Sequence, residues 1–119
     1  MHIKINGVHI EVTGAIKSYV YDKINSLKKF VPSNDTSVQV EIFLNKTTEH
    51  HNHGDMFQAE GVIHVRGKKV SAKVVEDDLY KSIDALKDML ARELIEHKDK
   101  QQSLFRRSAQ KIKRLLKRS

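Results

Sequence analysis

The sequence predicts an α+β fold of two layers, a four-stranded sheet with two helices on one face. Four stretches alternate polar and apolar residues at the two-residue period of a strand, and two longer stretches repeat apolar residues every three or four positions. Their order along the chain is β-α-β-β-β-α. Both helices should therefore pack on one face of an antiparallel sheet and leave its other face in water. A length of 119 residues suits a single domain.

The first strand and the first helix are predicted before Pro32. Residues 2–5 alternate as a strand does, and Asn6-Gly7 is a turn signal that closes β1. Thr13 can cap a helix over residues 14–30, because its hydroxyl oxygen can accept from a free amide of the first turn. Pro32 cannot continue the helical ladder, so α1 should end before it. The apolar positions on the face of α1 are Ile16, Val20, Ile24, Leu27 and Phe30.

Three further strands follow the first helix. Residues 37–44, 56–65 and 68–75 alternate in the same way and are predicted as β2, β3 and β4. Residues 45–55 are polar and lack periodicity, so they are predicted to form a surface loop. Arg66-Gly67 is short enough to make a tight hairpin between β3 and β4.

The second helix is predicted to run from residue 78 to at least residue 97. Asp77 and Asp78 offer capping oxygens and a favourable negative charge at its start. Its apolar positions follow at spacings of three and four, which places them on one face; they are Leu79, Ile83, Leu86, Leu90 and Leu94.

The net charge of +7 is divided unevenly along the chain. Residues 1–100 contain 15 Lys+Arg and 15 Asp+Glu, whereas residues 101–119 contain seven basic residues and no acidic one. We therefore expect a neutral domain over residues 1–100 and a basic tail over residues 101–119, partly disordered or helical only on binding. Concentrated positive charge attracts polyanions, with nucleic acid as the first candidate and an anionic membrane as the second.

Other classes of function are disfavoured. The chain has no cysteine, no signal-peptide pattern and no membrane-spanning stretch, so a cytoplasmic protein without disulfides is expected. It also lacks a Gly-rich phosphate loop and a nucleophile elbow, which argues against an enzyme, a cofactor and a small-molecule substrate. The side chains of Glu49, His50, His51 and His53 could together bind a metal ion. Their spacing is not that of a zinc site, so we expect these histidines to lie in a solvated loop without a metal.

Basic residues on the polar faces of the helices are the candidate binding residues. Two adjacent helices could track a phosphate backbone, although acidic residues are interleaved and cations near a helix end also suit its dipole. The strands contain only Phe43 and Phe57, so stacking of bases on aromatic rings is poorly supported. The candidates are Lys17, Lys23, Lys28 and Lys29 on α1; Lys87, Arg92, His97, Lys98 and Lys100 on α2 and just beyond it; and Arg106, Arg107, Lys111, Lys113 and Arg114 in the tail.

Two segments resemble bacterial ribosome hibernation-promoting factors and ribosome-associated inhibitors. The first is the strand-to-helix unit His9-Ile10-Glu11-Val12-Thr13-Gly14-Ala15-Ile16-Lys17-Ser18-Tyr19-Val20. The second is Asp78-Leu79-Tyr80-Lys81-Ser82-Ile83-Asp84-Ala85-Leu86, followed by Leu90-Ala91-Arg92-Glu93-Leu94 and His97-Lys98-Asp99-Lys100. The similarity covers residues 1–100 and implies an architecture similar to that of double-stranded-RNA-binding domains.

The resemblance implies that the partner is the small ribosomal subunit. The domain would bind 16S rRNA between head and body, occupy the path of mRNA and tRNA, and block translation sterically during stress or stationary phase. No DNA partner is expected. The candidate cations that match basic positions of the family are Lys17, Lys23, Arg92, Lys98 and Lys100.

The chain departs from the family pattern in two places. Met89 and Glu96 stand in α2 where the family pattern has basic residues. Short family members stop near residue 100 or carry an acidic extension, and long members carry a second domain, so a basic tail is unusual. The tail could compensate for the cations missing from α2, or it could follow RNA outside the usual site.

A function of another class stays open at the level of sequence. The chain could be a protein-interaction or regulatory module whose basic tail binds an acidic protein or a membrane surface. Co-sedimentation with the small subunit distinguishes the two readings. The resemblance leaves open whether the chain promotes or prevents ribosome pairing, and whether it associates with itself.

Overall fold

The computed structural model describes residues 1–31, 37–47 and 54–97. Four strands form one sheet in the order β1-β2-β3-β4, with β1 at His2–Val8, β2 at Gln39–Thr47, β3 at Met56–Val65 and β4 at Lys68–Glu76. Helix α1 (Gly14–Asn25) continues into a 3-10 turn (Ser26–Phe30), and residues 79–97 form α2. The predicted α+β fold and its element order are confirmed.

The sheet is mixed, and the prediction of a fully antiparallel sheet was wrong. β1 pairs with β2 in parallel, with Ile3 opposite Val40, whereas the β2–β3 and β3–β4 pairs are antiparallel. The cause is the helix between the first two strands. Because α1 crosses the sheet and returns the chain to the end where β1 began, β2 must run in the same direction as β1.

The core lies between one face of the sheet and the apolar stripes of both helices. Ile42, Gly61 and Ala72 lie opposite one another on neighbouring strands. A Cβ atom on Gly61 would lie 2.8 Å from Cδ1 of Leu90 and 3.4 Å from Cδ2 of Leu86, so α2 packs directly on β3 at a point without room for a side chain. The buried helical residues are Ile16, Val20, Ile24 and Leu27 in the first unit and Leu79, Ile83, Leu86, Leu90 and Leu94 in α2.

Both helices begin at the predicted capping residues. The hydroxyl Oγ1 of Thr13 accepts a hydrogen bond from the amide of Ile16 at 3.3 Å. Oδ1 of Asp78 accepts one from the amide of Lys81 at 3.0 Å. Each bond satisfies an amide that has no partner within its helix, and this fixes where the helix starts.

The hairpin between β3 and β4 is confirmed as a two-residue turn. Arg66 has φ 51° and Gly67 has φ 72°, and two successive positive φ angles are the requirement of a type I′ turn. β4 ends at Glu76, one residue beyond the predicted end.

The predicted turn at Asn6-Gly7 was wrong, because β1 continues through both residues to Val8. The chain reverses instead at His9, which has φ 56°. A Cβ atom on Gly7 would lie 2.5 Å from the carbonyl oxygen of Ile10. The glycine is therefore explained by the close return of the next segment over β1.

Two further boundaries differ from prediction. The α-helical part of α1 ends at Asn25, and the last predicted turn is 3-10, ending at the partly buried Phe30. β2 extends to Thr47, so the predicted loop over residues 45–55 begins later. Residues 48–53 of that loop lie outside the described residues, as do residues 32–36.

Candidate RNA-binding surface

Helices α1 and α2 lie side by side and run in the same direction. The rings of Tyr19 and Tyr80 meet edge to face, with centroids 4.8 Å apart. One turn later in each helix, Nζ of Lys23 lies 3.4 Å from Oδ1 of Asp84. Because successive turns of α1 meet successive turns of α2, the two helices are parallel neighbours on the sheet.

Asp84 connects the two helices. Its Oδ1 accepts a hydrogen bond from the hydroxyl of Tyr19 at 2.6 Å, and the same oxygen pairs with Lys23. The hydrogen bond to Asp84 raises the pKa of Tyr19 above its usual value, and the hydrogen bond and charge of the same carboxylate raise the pKa of Lys23. Sequence reasoning missed this role of Asp84, since only the fold brings residues 65 positions apart into contact.

The carboxy-terminal ends of both helices lie at the end of the sheet where β1 and β2 begin. The hydroxyl of Tyr21 lies 3.5 Å from the carbonyl oxygen of Ile3, so the 3-10 turn that follows α1 lies at that end. α2 passes over Gly61 at Leu90, and its remaining seven residues extend about 10 Å towards the same end. We call this region the basic end. It carries the exposed cations Lys28, Lys29 and Arg92, which outnumber the exposed acids Glu93 and Glu96 of the last turns of α2.

The opposite end of the domain is acidic. It carries Glu11, Asp55, Glu76, Asp77 and Asp78, near the starts of both helices. Two lysines at that end are paired, Lys46 with Asp55 at 3.3 Å and Lys81 with Asp77 at 3.5 Å. By contrast, the three cations of the basic end form no salt bridge with any residue in the described part of the chain.

Residues 3–102 match the sequence profile of the family described as sigma 54 modulation protein / S30EA ribosomal protein. The match spans most of the chain. The chain belongs to this family. The resemblance seen in the two sequence segments is thereby confirmed.

Relatives of this chain carry the name ribosome hibernation promoting factor. The protein of Azotobacter vinelandii is 37% identical over 101 residues, which is 85% of this chain and 86% of the relative. The protein of Pseudomonas putida KT2440 is 34% identical over 109 residues, 92% of this chain and 98% of the relative, so that similarity continues past residue 100. The Escherichia coli K12 protein is 32% identical over 100 residues, 84% of this chain and 96% of the relative.

Solved structures support the same fold. The Protein Y N-terminal domain of Thermus thermophilus superposes with a TM-score of 0.66 and 26% identity, over 79% of this chain and 96% of that domain. A ribosomal subunit interface protein from Coxiella burnetii gives a TM-score of 0.66 over 83% of this chain and 99% of its own. At 18% identity, the second comparison concerns the fold alone.

The structure separates the candidate cations of α1. Lys17 is exposed in the first turn of α1, roughly 17 Å along the axis from Lys28 and about 120° round it from Lys23. Lys23 is half-buried against α2. Lys28 and Lys29 are exposed in the 3-10 turn, and Nζ of Lys29 lies 5.2 Å from the ring centroid of Phe30.

The candidate cations of α2 also differ in their exposure and in whether they are paired with an acid. Lys87 is half-buried, and its Nζ lies 3.4 Å from Oδ1 of Asp88. Arg92 is exposed, eight residues or about 12 Å beyond Asp84, and His97 is half-buried at the last described position of the helix. The remaining candidates, Lys98, Lys100, Arg106, Arg107, Lys111, Lys113 and Arg114, lie outside the described residues.

The open face of the sheet offers no stack of aromatic rings. Phe43 is half-buried on that face, opposite Asn6 and Glu60. Phe57 instead packs against the core. In the described strands no second Phe, Tyr or Trp accompanies Phe43 on the open face.

Metal binding has no support within residues 1–31, 37–47 and 54–97, where no three His, Asp or Glu side chains are grouped to hold an ion. His50, His51 and His53 lie outside those ranges, so the interpretation of that cluster stays a prediction.

Neither helix in the described part of the chain is both long and apolar enough to cross a membrane.

Proposed function

We propose that the chain binds 16S rRNA of the small ribosomal subunit in the channel for mRNA and tRNA, and that it blocks translation sterically. The observation that carries this proposal is the basic end. Lys28, Lys29 and Arg92 are exposed there without ion-pair partners among the described residues, in a domain whose charges sum to zero over residues 1–100. The names of the relatives, ribosome hibernation promoting factors, supply the partner.

The exposed cations should dominate the affinity. Each phosphate that a lysine or arginine neutralises releases condensed counterions, and this favours binding at low salt. Lys28, Lys29 and Arg92 can do so without first breaking an ion pair. Lys23 and Lys87 must leave Asp84 and Asp88, so their contribution should be smaller.

Recognition on this surface should depend on RNA shape. Lysine and arginine side chains on helix ends reach phosphate oxygens, which carry no sequence information of their own. Among the described residues, the open face of the sheet has a single aromatic side chain, Phe43, whereas single-stranded bases are read by stacking on several aromatic rings. A compact domain held by phosphates can occupy a channel and exclude other ligands, and no chemical step is required.

The basic tail is proposed to strengthen the same complex. Residues 101–119 carry seven cations and no acid, and they follow α2, whose last described turn lies at the basic end. The position of the tail in the sequence therefore favours contacts with RNA beside those of the helices. Lys98 and Lys100 lie outside the described residues, and their contact with RNA stays a prediction.

The experiment is co-sedimentation of the full chain with purified bacterial small subunits across a series of salt concentrations, together with inhibition of translation in vitro. The K28Q/K29Q variant should bind more weakly and with a smaller salt dependence. The matched control K46Q/K81Q changes the net charge equally but at the acidic end, and should bind as the wild type does.

Prior loading of the subunits with mRNA and tRNA should reduce binding if the channel is the site. Undiminished binding to loaded subunits would place the chain elsewhere on the ribosome. Equal loss in K28Q/K29Q and K46Q/K81Q would refute the role of the basic end.

A further inference from the structure

The β3–β4 hairpin carries a second cluster of cations that the helices do not explain. Arg66, Lys68 and Lys69 are exposed at its tip, and no Asp or Glu occurs from Gly61 to Val75. No salt bridge among the described residues involves the three tip cations. In a domain with as many acids as bases, this is a marked local excess of positive charge.

The strand register places the hairpin tip at the basic end. Lys69 lies opposite His64, His64 opposite Gln39, and Gln39 opposite His2, so one row across the sheet joins the tip to the start of β1. The carboxy-terminal ends of α1 and α2 lie at this same end. The hairpin thus extends the positively charged surface from the helix layer onto the edge of the sheet.

The turn itself contains a residue that its backbone does not favour. The first position of a type I′ turn needs positive φ, which asparagine, aspartate and glycine adopt most readily. Arg66 occupies that position with φ 51°. A long side chain in the left-handed region costs conformational energy, and no hydrogen bond or ion pair of the Arg66 side chain with a described residue offsets that cost. A ligand for the guanidinium group would explain its presence.

We propose that the tip of the β3–β4 hairpin is a second RNA-backbone contact, in which Arg66, Lys68 and Lys69 bind phosphates next to those bound by the helix ends. The inference rests on the proposed function and adds an element to it. RNA is the partner that the observations favour, because three cations without an apolar side chain or an acid between them fit repeated phosphates. The contact is independent of base sequence.

The test compares K68Q/K69Q with the charge-matched K46Q/K81Q, using purified bacterial small subunits and a potassium chloride titration at constant magnesium. The association constant K falls as salt rises, and each lost phosphate contact should make the slope of log K against log salt shallower by about 0.9. For each lost contact, the gain in affinity between 1 M and 0.1 M salt should therefore be about eightfold smaller than in the wild type. The hairpin variant should show this change, and the control should match the wild type.

Arg66→Asn separates binding from folding. Asparagine suits positive φ, so the variant should be at least as stable as the wild type in urea, yet it should bind subunits severalfold more weakly. A purely structural role for Arg66 predicts no loss of affinity in so stable a variant.

Each negative outcome has a distinct meaning. If K68Q/K69Q and Arg66→Asn bind as the wild type does while K28Q/K29Q is impaired, the hairpin contact is refuted and the proposed function stands. If the wild type itself fails to bind subunits, both proposals fall. If the hairpin variants lose binding to immobilised polyglutamate but not to subunits, the tip serves an acidic protein and the RNA contact is refuted.

Discussion

A methyl group added at Gly61 tests how closely α2 packs on the sheet. The new Cβ would lie 2.8 Å from Cδ1 of Leu90 and 3.3 Å from Cδ1 of Ile42, well inside normal carbon contact distances. Overpacking of this kind costs about 1–3 kcal/mol. The rigidity gained when alanine replaces glycine in a strand returns about 0.5–1 kcal/mol. Gly61→Ala should therefore lower the free energy of unfolding by about 1 kcal/mol, and by about 2.5 kcal/mol at most.

Two further variants isolate the contact. Gly14→Ala is the matched control, because no atom lies within 4 Å of a Cβ built there and the residue opens a helix. It should leave stability unchanged or raise it slightly. Leu90→Ala alone should cost about 2–5 kcal/mol, since Leu90 is fully buried. The double variant Gly61→Ala/Leu90→Ala should lose less stability than the sum of the two single losses, because Leu90→Ala removes the Cδ1 methyl group that the new Cβ would meet.

The assay is urea unfolding followed by circular dichroism, with thermal melting as a second readout. A loss of about 1–2.5 kcal/mol corresponds to a fall of roughly 5–15 °C in Tm for a domain of this size. If Gly61→Ala and Gly14→Ala are equally stable, or if the Gly61–Leu90 cycle is additive within about 0.5 kcal/mol, then α2 does not contact β3 as described.

Four further predictions concern the helices and the tail. Asp84→Asn should lower the pKa of Tyr19, which a titration of the tyrosine 13Cζ resonance measures; an unchanged midpoint contradicts the contact. The pKa values of Tyr19 and Lys23 are higher in the folded state than in the unfolded chain. Their protonated forms therefore stabilise the fold when the pH is below the unfolded-state pKa, and this stabilisation is lost as the pH rises through the folded-state pKa. Urea stability should therefore fall as the pH rises above about 10, the ordinary value of a tyrosine, and should fall less steeply in Asp84→Asn. Thr13→Ala should cost about 1 kcal/mol, whereas Thr13→Ser should be nearly neutral by the same assay. Removal of residues 101–119 should reduce the salt dependence of subunit binding without altering the unfolding midpoint of the domain; an unchanged salt slope would exclude the tail from the interface.

The fold could be predicted from the sequence because its signals are local. Alternation defines β3 to the residue, and the Thr13 and Asp78 caps define both helix starts. Strand direction is different, because it depends on how α1 crosses the sheet. Asn6-Gly7 was misread as a turn, since nothing local shows that Gly7 is needed for the close return of Ile10.

The candidate surface was less predictable than the fold. The sequence shows that Lys23 is basic and off the apolar stripe, but not that Asp84 on the other helix holds it. It equally hides that Lys28, Arg92 and the hairpin tip lie at one end, because this depends on the register of all four strands. The sequence shows which residues carry a positive charge, but only the fold determines which of those charges lie close together.

Directed hydroxyl-radical probing tests the central claim most directly, and the absence of cysteine makes it clean. An iron chelate attached to Gln39→Cys would sit at the basic end, and one attached to Glu11→Cys at the opposite end; both positions are exposed. On small subunits, the Gln39 probe should cut 16S rRNA strongly at nucleotides lining the channel between head and body, and bound mRNA and tRNA should abolish the cuts. Cleavage confined to the outer surface of the subunit, or stronger cleavage from Glu11, would contradict RNA binding by the basic end.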